Sequence, residues 1–324
     1  MRAAVVTESG LVVKEVPDPR PAAGEVLVRL RAIGLNRADL GVAAGHRHGS
    51  QGGSGAIPGI EGAGEVIAVG PDVPAHITPR LRVMASMSGS YAEYCAVHWG
   101  RLFPVPSHNM PWEIAATLPI ALQTMHDAVV THGLCGPGRS ILIQGASSGV
   151  GLMGLQVARL MGATAIIGTS TNAERRARLG AFGATHAVDT GDPAWVDQVL
   201  EATGGRGVDA VVDMISGPLA SQTLRATAIL GRIVNVGRLG GAVAPFDFDT
   251  HAARRISYIG VTFRTRSAAE IAEIVRKARA DLWQALEAGK LHLPLDRTYR
   301  LDEVNEALAR MKANQHFGKL ALIP

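Results

Sequence analysis

The chain has 324 residues, of which 47% are hydrophobic, 19% are charged and 38 are glycine. That length exceeds one comfortable hydrophobic core, so two cores are expected, and the balance suits an α/β enzyme with many tight loops while excluding a disordered chain. A formal net charge of +4 suits nucleic acid or an anionic cofactor, but an aromatic share of 4% offers few stacking platforms, so nucleic-acid binding is not expected.

The amino terminus reaches Glu8 before any apolar run of signal length. No later stretch offers about 18 uninterrupted apolar residues, so no membrane span and a cytoplasmic location are expected. Residues 11–13, 25–33 and 64–70 alternate apolar and polar positions, with Pro17, Pro19, Pro21 and Gly24 between runs. The period of two predicts antiparallel strands in a barrel-like half. The two cysteines, Cys95 and Cys135, are too few for a disulfide framework or a four-cysteine zinc site and read as ordinary semi-buried residues.

From about residue 122 strand-like runs alternate with amphipathic segments of helical length. Strands are expected at 140–144, 165–168, 209–213 and 232–237, with helices after Gly151 through Arg159 and over 172–182. Such βα repetition implies a parallel sheet covered on both faces. Helices over 268–286 and 302–313 and a strand over 319–323 complete the chain and are expected to pack back onto the first half.

The first of these strands runs into Gly145-Ala146-Ser147-Ser148-Gly149-Val150-Gly151 and then a helix. Glycines there permit a tight turn and close approach of backbone to a pyrophosphate, while free N–H groups at the helix start face negative charge. Because strand, turn, helix and further βα units agree, a dinucleotide site is expected. A carboxylate about 20 residues on would hydrogen-bond the ribose 2′-hydroxyl of NAD. Ser170, Thr171 and Arg175 occupy that stretch instead, a set suited to a 2′-phosphate, so NADPH is the expected cofactor.

The chain resembles the medium-chain dehydrogenase/reductase superfamily, specifically its quinone oxidoreductase (zeta-crystallin-like) family. The likeness spans essentially the whole chain. It rests on Gly34-Leu35-Asn36-Arg37-Ala38-Asp39-Leu40, Pro58-Gly59-Ile60-Glu61-Gly62-Ala63-Gly64, the phosphate loop and Phe317-Gly318-Lys319. Phe263-Arg264-Thr265-Arg266-Ser267 looks most like the branch containing the tumour-suppressor-inducible quinone oxidoreductase. The resemblance implies a GroES-like catalytic domain from residues 1–121 and 264–324 and a Rossmann NADPH-binding domain over 122–263. It also implies cofactor contacts from Val236, Gly237, Phe263, Thr265 and Lys319, and a homodimer paired through residues 256–261.

Zinc alcohol dehydrogenases of this superfamily carry a cysteine where Asn36 stands and a histidine where Ile60 stands. Both ligands are absent here, and His46 and His48 lack partners at ligand spacing, so no metal is expected. The implied chemistry is direct hydride transfer to a quinone or an α,β-unsaturated carbonyl. By resemblance Asn36 and Thr124 lie beside the nicotinamide, Asn36 as donor to the substrate oxygen. Asp39 either orients a water or caps its helix, and Tyr91 either reaches the pocket or packs within a strand. Two departures bear on substrate and cofactor. Gly41 and the glycine-rich loop 45–55 replace tyrosine positions of the family, which predicts a mobile loop without an aromatic wall, and Thr190 replaces a tyrosine near the adenosine phosphate. The alternatives are an enoyl-thioester reductase of the same fold and a non-catalytic NADPH-binding protein that binds RNA.

Overall fold

The computed structural model describes residues 1–8, 10–47, 49, 52–107 and 110–324. The chain forms two compact units, Met1–Gln123 with Phe263–Pro324, and Thr124–Thr262. His48, Ser50 and Gln51 of the glycine-rich loop lie outside the described residues, and the neighbouring His46 is exposed. In chain order the first unit contributes β1 (Arg2–Thr7), β2 (Gly10–Glu15), β3 (Glu25–Gly34), β4 (Glu61–Val69), β5 (Arg82–Ser86), β6 (Tyr94–His98) and β7 (Leu102–Pro104). The second holds β8 (Ser140–Gln144), β9 (Ala165–Thr169), β10 (His186–Val188), β11 (Val208–Asp213), β12 (Thr227–Asn235) and β13 (Ser257–Gly260). The chain returns to the first unit with β14 (Leu295–Arg300) and β15 (Lys319–Ile323).

In the first unit β3 is the hub. Val26, Val28, Leu30 and Ala32 point inward and Arg29 and Arg31 outward, as the period of two requires. It pairs antiparallel with β4 along its length, with β6 at its start and with β15 at its end, where Gly34 faces Ala321 and Ile33 faces Leu322. The wrapped sheet encloses Val28, Leu30, Val66, Val83, Leu102 and Leu322.

The second unit is an all-parallel sheet in the order β10-β9-β8-β11-β12-β13. This is the doubly wound arrangement, and the order reverses between β8 and β11, where such sheets open a crevice at their carboxyl ends. The inner strands are apolar throughout, as burial on both faces demands; Ile141, Leu142, Ile143, Val211 and Val212 are fully buried. Trp195, Val199 and Leu224 complete this core.

Two segments differ from the expected elements. β12 begins at Thr227, ahead of Arg232, because it carries a bulge: Val208 pairs with Thr227, yet Ala210 pairs with Arg232. Ile229 and Leu230 are exposed there and Leu230 has a φ of 63°, which hides the strand period. The helix expected over 172–182 is split into Ala173–Ala177 and a single turn, Leu179–Phe182, ended by Gly183 at φ 107°. Among the described residues no helix is long and apolar enough to cross a membrane.

A Cβ on Gly64 would stand 2.0 Å from the carbonyl oxygen of Arg29 on β3. Gly64→Ala should therefore force the β3–β4 ladder apart and cost about 2–3 kcal/mol, read as a lower urea midpoint. An unchanged midpoint would show that the strands separate freely at this point.

Candidate functional site

Two clusters of candidate functional side chains are present, one in each unit. In the second unit, Gly145 follows β8 at φ 73°, a conformation glycine adopts without strain. Its N–H donates to Thr169 Oγ1 and the N–H of Ala146 donates to Thr169 O, so the loop is strapped to the end of β9. Ser148 caps the helix Gly149–Leu160: its Oγ accepts from Gly151 N and donates to Gly145 O. A Cβ on Gly151 would lie 2.6 Å from Gly145 O and 2.7 Å from Ala146 Cα, so the tight turn requires glycine there. The cradle fits a pyrophosphate, since a helix's first turn leaves N–H groups without carbonyl partners.

Ser170 stands just beyond β9 where an NAD-selective carboxylate would be. Its hydroxyl donates to Ser147 Oγ at 3.1 Å, which brings the loop and the expected 2′-phosphate residues together. Thr171 is exposed and Arg175 half-buried one turn further on. Arg176 is committed elsewhere, to the carbonyl of Ser170 and to Asp189 at 2.8 Å. Val236 and Gly237 follow β12, and both of their N–H groups donate to Asp213 O. Asp213 in turn accepts from the N–H groups of Ile215 and Ser216, so the ends of β11 and β12 are tied into one rim. Burial pushes the Asp213 carboxyl up. Thr124 is buried in the helix Pro119–Met125, as the first residue of its unit.

In the first unit a buried charged knot joins four distant parts of the chain. Lys319 Nζ donates to Glu61 Oε1 at 2.6 Å and to Asn36 Oδ1 at 2.8 Å. Asn36 Nδ2 donates to Glu61 Oε1 at 2.8 Å, and Ile120 N–H donates to Glu61 Oε2 at 2.9 Å. Glu61 is fully buried and Lys319 is 5% exposed. Gly34 makes room for them, since a Cβ there would lie 2.7 Å from Glu61 Oε1 and 2.4 Å from Ala116 O. Lys319, implied as a cofactor ligand by resemblance, is thus turned inward onto a carboxylate.

Asp39 lies in the first turn of the helix Arg37–Ala43 and accepts the Asn36 N–H on Oδ2, which anchors the backbone of Asn36. Tyr91 O–H donates to the same oxygen at 2.9 Å, and Oδ1 has no partner. Tyr91 is fully buried, as is the Asp39 carboxyl that its hydroxyl meets. Burial pushes the Asp39 carboxyl up to about 7, against the hydrogen bonds from Asn36 and Tyr91 and the charge of Lys319, which lower it. The Tyr91 phenol is pushed well above its usual range, first by burial and then by Asp39.

A cavity of about 460 Å³ in the same unit is lined by Ile60, Ser86, Ile120, Gln123, Phe263 and Thr265 among others. Its size is that of a small-molecule pocket. Ile60 precedes Glu61 and Ile120 bonds to it, so the charged knot adjoins this wall. Phe263 and Thr265 face a pocket of their own unit. A larger groove of about 1080 Å³, between Trp99 and the helix Ala268–Glu287, contains none of the residues expected from the sequence.

Glu61 was given no role by the sequence, although it sits inside a glycine-rich strand start. The readable signal was a carboxylate at the first position of β4 and a lysine at the first position of β15, each leading into buried, mostly apolar strand residues. Such charges are tolerated in a core only as partners.

The chain matches the family model described as Alcohol dehydrogenase GroES-like domain over residues 22–107 and that described as Zinc-binding dehydrogenase over residues 149–279. It is 28% identical over 324 residues to quinone oxidoreductase-like protein 2 of Rattus norvegicus, covering 99% of this chain and 91% of that protein. It is 32% identical over 313 residues to an erythronolide synthase of Saccharopolyspora erythraea, covering 93% of this chain but 8% of the synthase. The chain spans only 6% to 12% of the length of the polyketide synthases that it matches. Among solved structures, a mycobacterial quinone oxidoreductase, also solved in complex with NADPH, superposes with a TM-score of 0.88 at 28% identity over 100% of both chains.

The raised pKa of Asp39 has a measurable consequence. Between the ordinary carboxylate value and about 7 the folded chain holds a proton that the unfolded chain lacks, so stability falls as pH rises through that window. Asp39→Asn carries no charge to bury. Relative to the native chain, its urea midpoint should improve on going from about pH 5 to about pH 9. A constant difference between the two would mean that Asp39 stays ionised throughout.

Proposed function

We propose that this chain, which belongs to the medium-chain dehydrogenase/reductase superfamily and within it to the quinone oxidoreductase family, is an NADPH-dependent oxidoreductase that reduces a quinone or an α,β-unsaturated carbonyl without a metal ion. One observation carries this reading: the side-chain amide of Asn36 is held between Lys319 and Glu61. A lysine ammonium only donates and a carboxylate only accepts, so the amide has one orientation. Its Oδ1 faces Lys319, one Nδ2–H faces Glu61, and the second Nδ2–H is left to donate to an acceptor oxygen.

When bound, the nicotinamide of NADPH supplies a hydride. Conjugation in a quinone or enone carries the incoming electron pair to the carbonyl oxygen, where the Asn36 N–H meets it. Lys319 polarises the amide from behind, and water supplies the final proton. The positive charge of this cluster is the Lys319 ammonium, and Asn36 and Ile60 offer neither thiolate nor imidazole to a zinc ion. Preference for NADPH is supported by Ser170 in place of a carboxylate, by its contact with Ser147, and by Arg175 one turn on. Similarity to polyketide synthases favours a second acceptor class, enoyl thioesters, for the same chemistry.

NADPH oxidation with a quinone is expected to persist with a chelator present, and NADH is expected to be the poorer donor. Asn36→Ala should lower kcat by about 10²-fold while the KM for NADPH stays within about twofold. Arg175→Ala should raise the KM for NADPH and leave that for NADH unchanged. Dependence on added zinc, or faster turnover with NADH, would overturn the reading. A parallel assay with an enoyl-CoA compound separates the two acceptor classes.

A further inference from the structure

The cavity of about 460 Å³ in the first unit carries more positive charge than its size suggests. Arg101, Arg264 and Arg266 line it, against one carboxylate, Glu270. Glu270 is already engaged. It accepts from the N–H and the hydroxyl of Ser267 at 2.7 and 2.8 Å, capping the start of the helix Ala268–Glu287. Arg266 lies over the Phe263 ring at 5.3 Å, which stations its guanidinium on the cavity wall.

A second, independent feature is a set of polar atoms without partners in the same wall. Ser86 Oγ and Gln123 Oε1 are buried, at 5% and 1% residue exposure, and neither makes a hydrogen bond; Arg101 Nε is likewise buried and unpaired. Orphaned polar groups of this kind are costly in a folded chain unless a bound molecule or water completes them. A lining with three arginines, an orphaned hydroxyl and guanidinium N–H, an orphaned amide oxygen and the apolar Ile60, Ile120 and Ile271 suits a molecule with an apolar body and a negative group.

We propose that this cavity receives the electron acceptor by an anionic substituent, a carboxylate, sulfonate or phosphate, so that the enzyme selects negatively charged quinones or enones over neutral ones. The inference rests on the reductase reading above and names the acceptor class within it. Arg101 and Arg266 hold the anion, Ser86 donates its hydroxyl, and Gln123 Oε1 accepts from an O–H or N–H of the same molecule. Charge-assisted contacts of this sort are strong and directional, which makes them effective in discrimination.

The test compares menadione with a naphthoquinone sulfonate at saturating NADPH, using the full chain and its Arg101→Met and Arg266→Met variants. The sulfonate should be preferred in kcat/KM by about tenfold or more, with the preference falling toward unity in either variant and in high salt. The KM for NADPH should not change. Equal kcat/KM for the two quinones overturns the proposal and leaves the reductase reading standing. A raised KM for NADPH with an unchanged preference also overturns it, since the arginines would then serve the cofactor. Should no quinone be reduced, calorimetric titration with a naphthalenesulfonate and with a neutral naphthamide decides separately. Sulfonate-selective binding lost in the variants upholds the anion site while the reductase reading fails, and absence of binding overturns both.

Discussion

The ion pair of Lys319 with Glu61 is the constraint on which the first unit is organised. Removing an ammonium and a carboxylate from water costs several kcal/mol each, and their attraction repays this only with good geometry and further hydrogen bonds. Both conditions are met: Asn36 bridges the two charges and the Ile120 N–H takes the remaining carboxylate oxygen. The bonds span separations of 258 and 283 residues, so the pair forms only once β3, β4 and β15 are correctly joined. Gly34 follows from the same requirement, because any side chain at that point would displace Glu61. A pair of this kind adds little net stability over a well-packed apolar alternative, and its value lies in fixing the position and polarity of one amide.

The second unit meets an electrostatic task by the opposite means. The loop from Gly145 to Gly151 offers backbone N–H groups and hydroxyls to negative charge, and its tightness comes from glycines that let Gly145 and Gly151 pack within contact of one another. Thr169 and Ser148 orient the loop from both sides, so no buried cation is needed. The first unit, built largely of antiparallel strands, places a lysine at the knot, beside the start of the seven-residue helix Arg37–Ala43.

The sequence made the periodic parts legible. The alternation of 25–33 and the apolar run of 140–144 each encode a strand, and the spacing of strand, glycine turn and helix locates the dinucleotide loop. Where a local feature interrupts the period the reading shifts, as at Leu230, whose left-handed backbone throws two apolar residues outward and conceals the first half of β12. The charged knot was legible only in part. Asn36, Asp39 and Lys319 stand in recognisable motifs, yet the Lys319–Glu61 bond depends on a pairing across 258 residues that no local pattern encodes. Tyr91 shows the same limit: its type is compatible with catalysis, and no local pattern encodes its buried hydrogen bond to Asp39, 52 residues away.

The knot also bears on which acceptors the proposed chemistry admits. A metal ion polarises an ordinary ketone by direct coordination, whereas a single amide N–H, even one backed by an ammonium, stabilises developing charge by a hydrogen bond. That smaller effect is enough where the acceptor already delocalises the incoming electron pair, as quinones and enones do. The hydrogen-bonding demand on the protein then falls on positioning, which the buried pair supplies to Asn36 through its side chain and Asp39 through its backbone N–H. In the proposed chemistry, a lysine in the core and a preference for conjugated acceptors both follow from holding the Asn36 amide fixed.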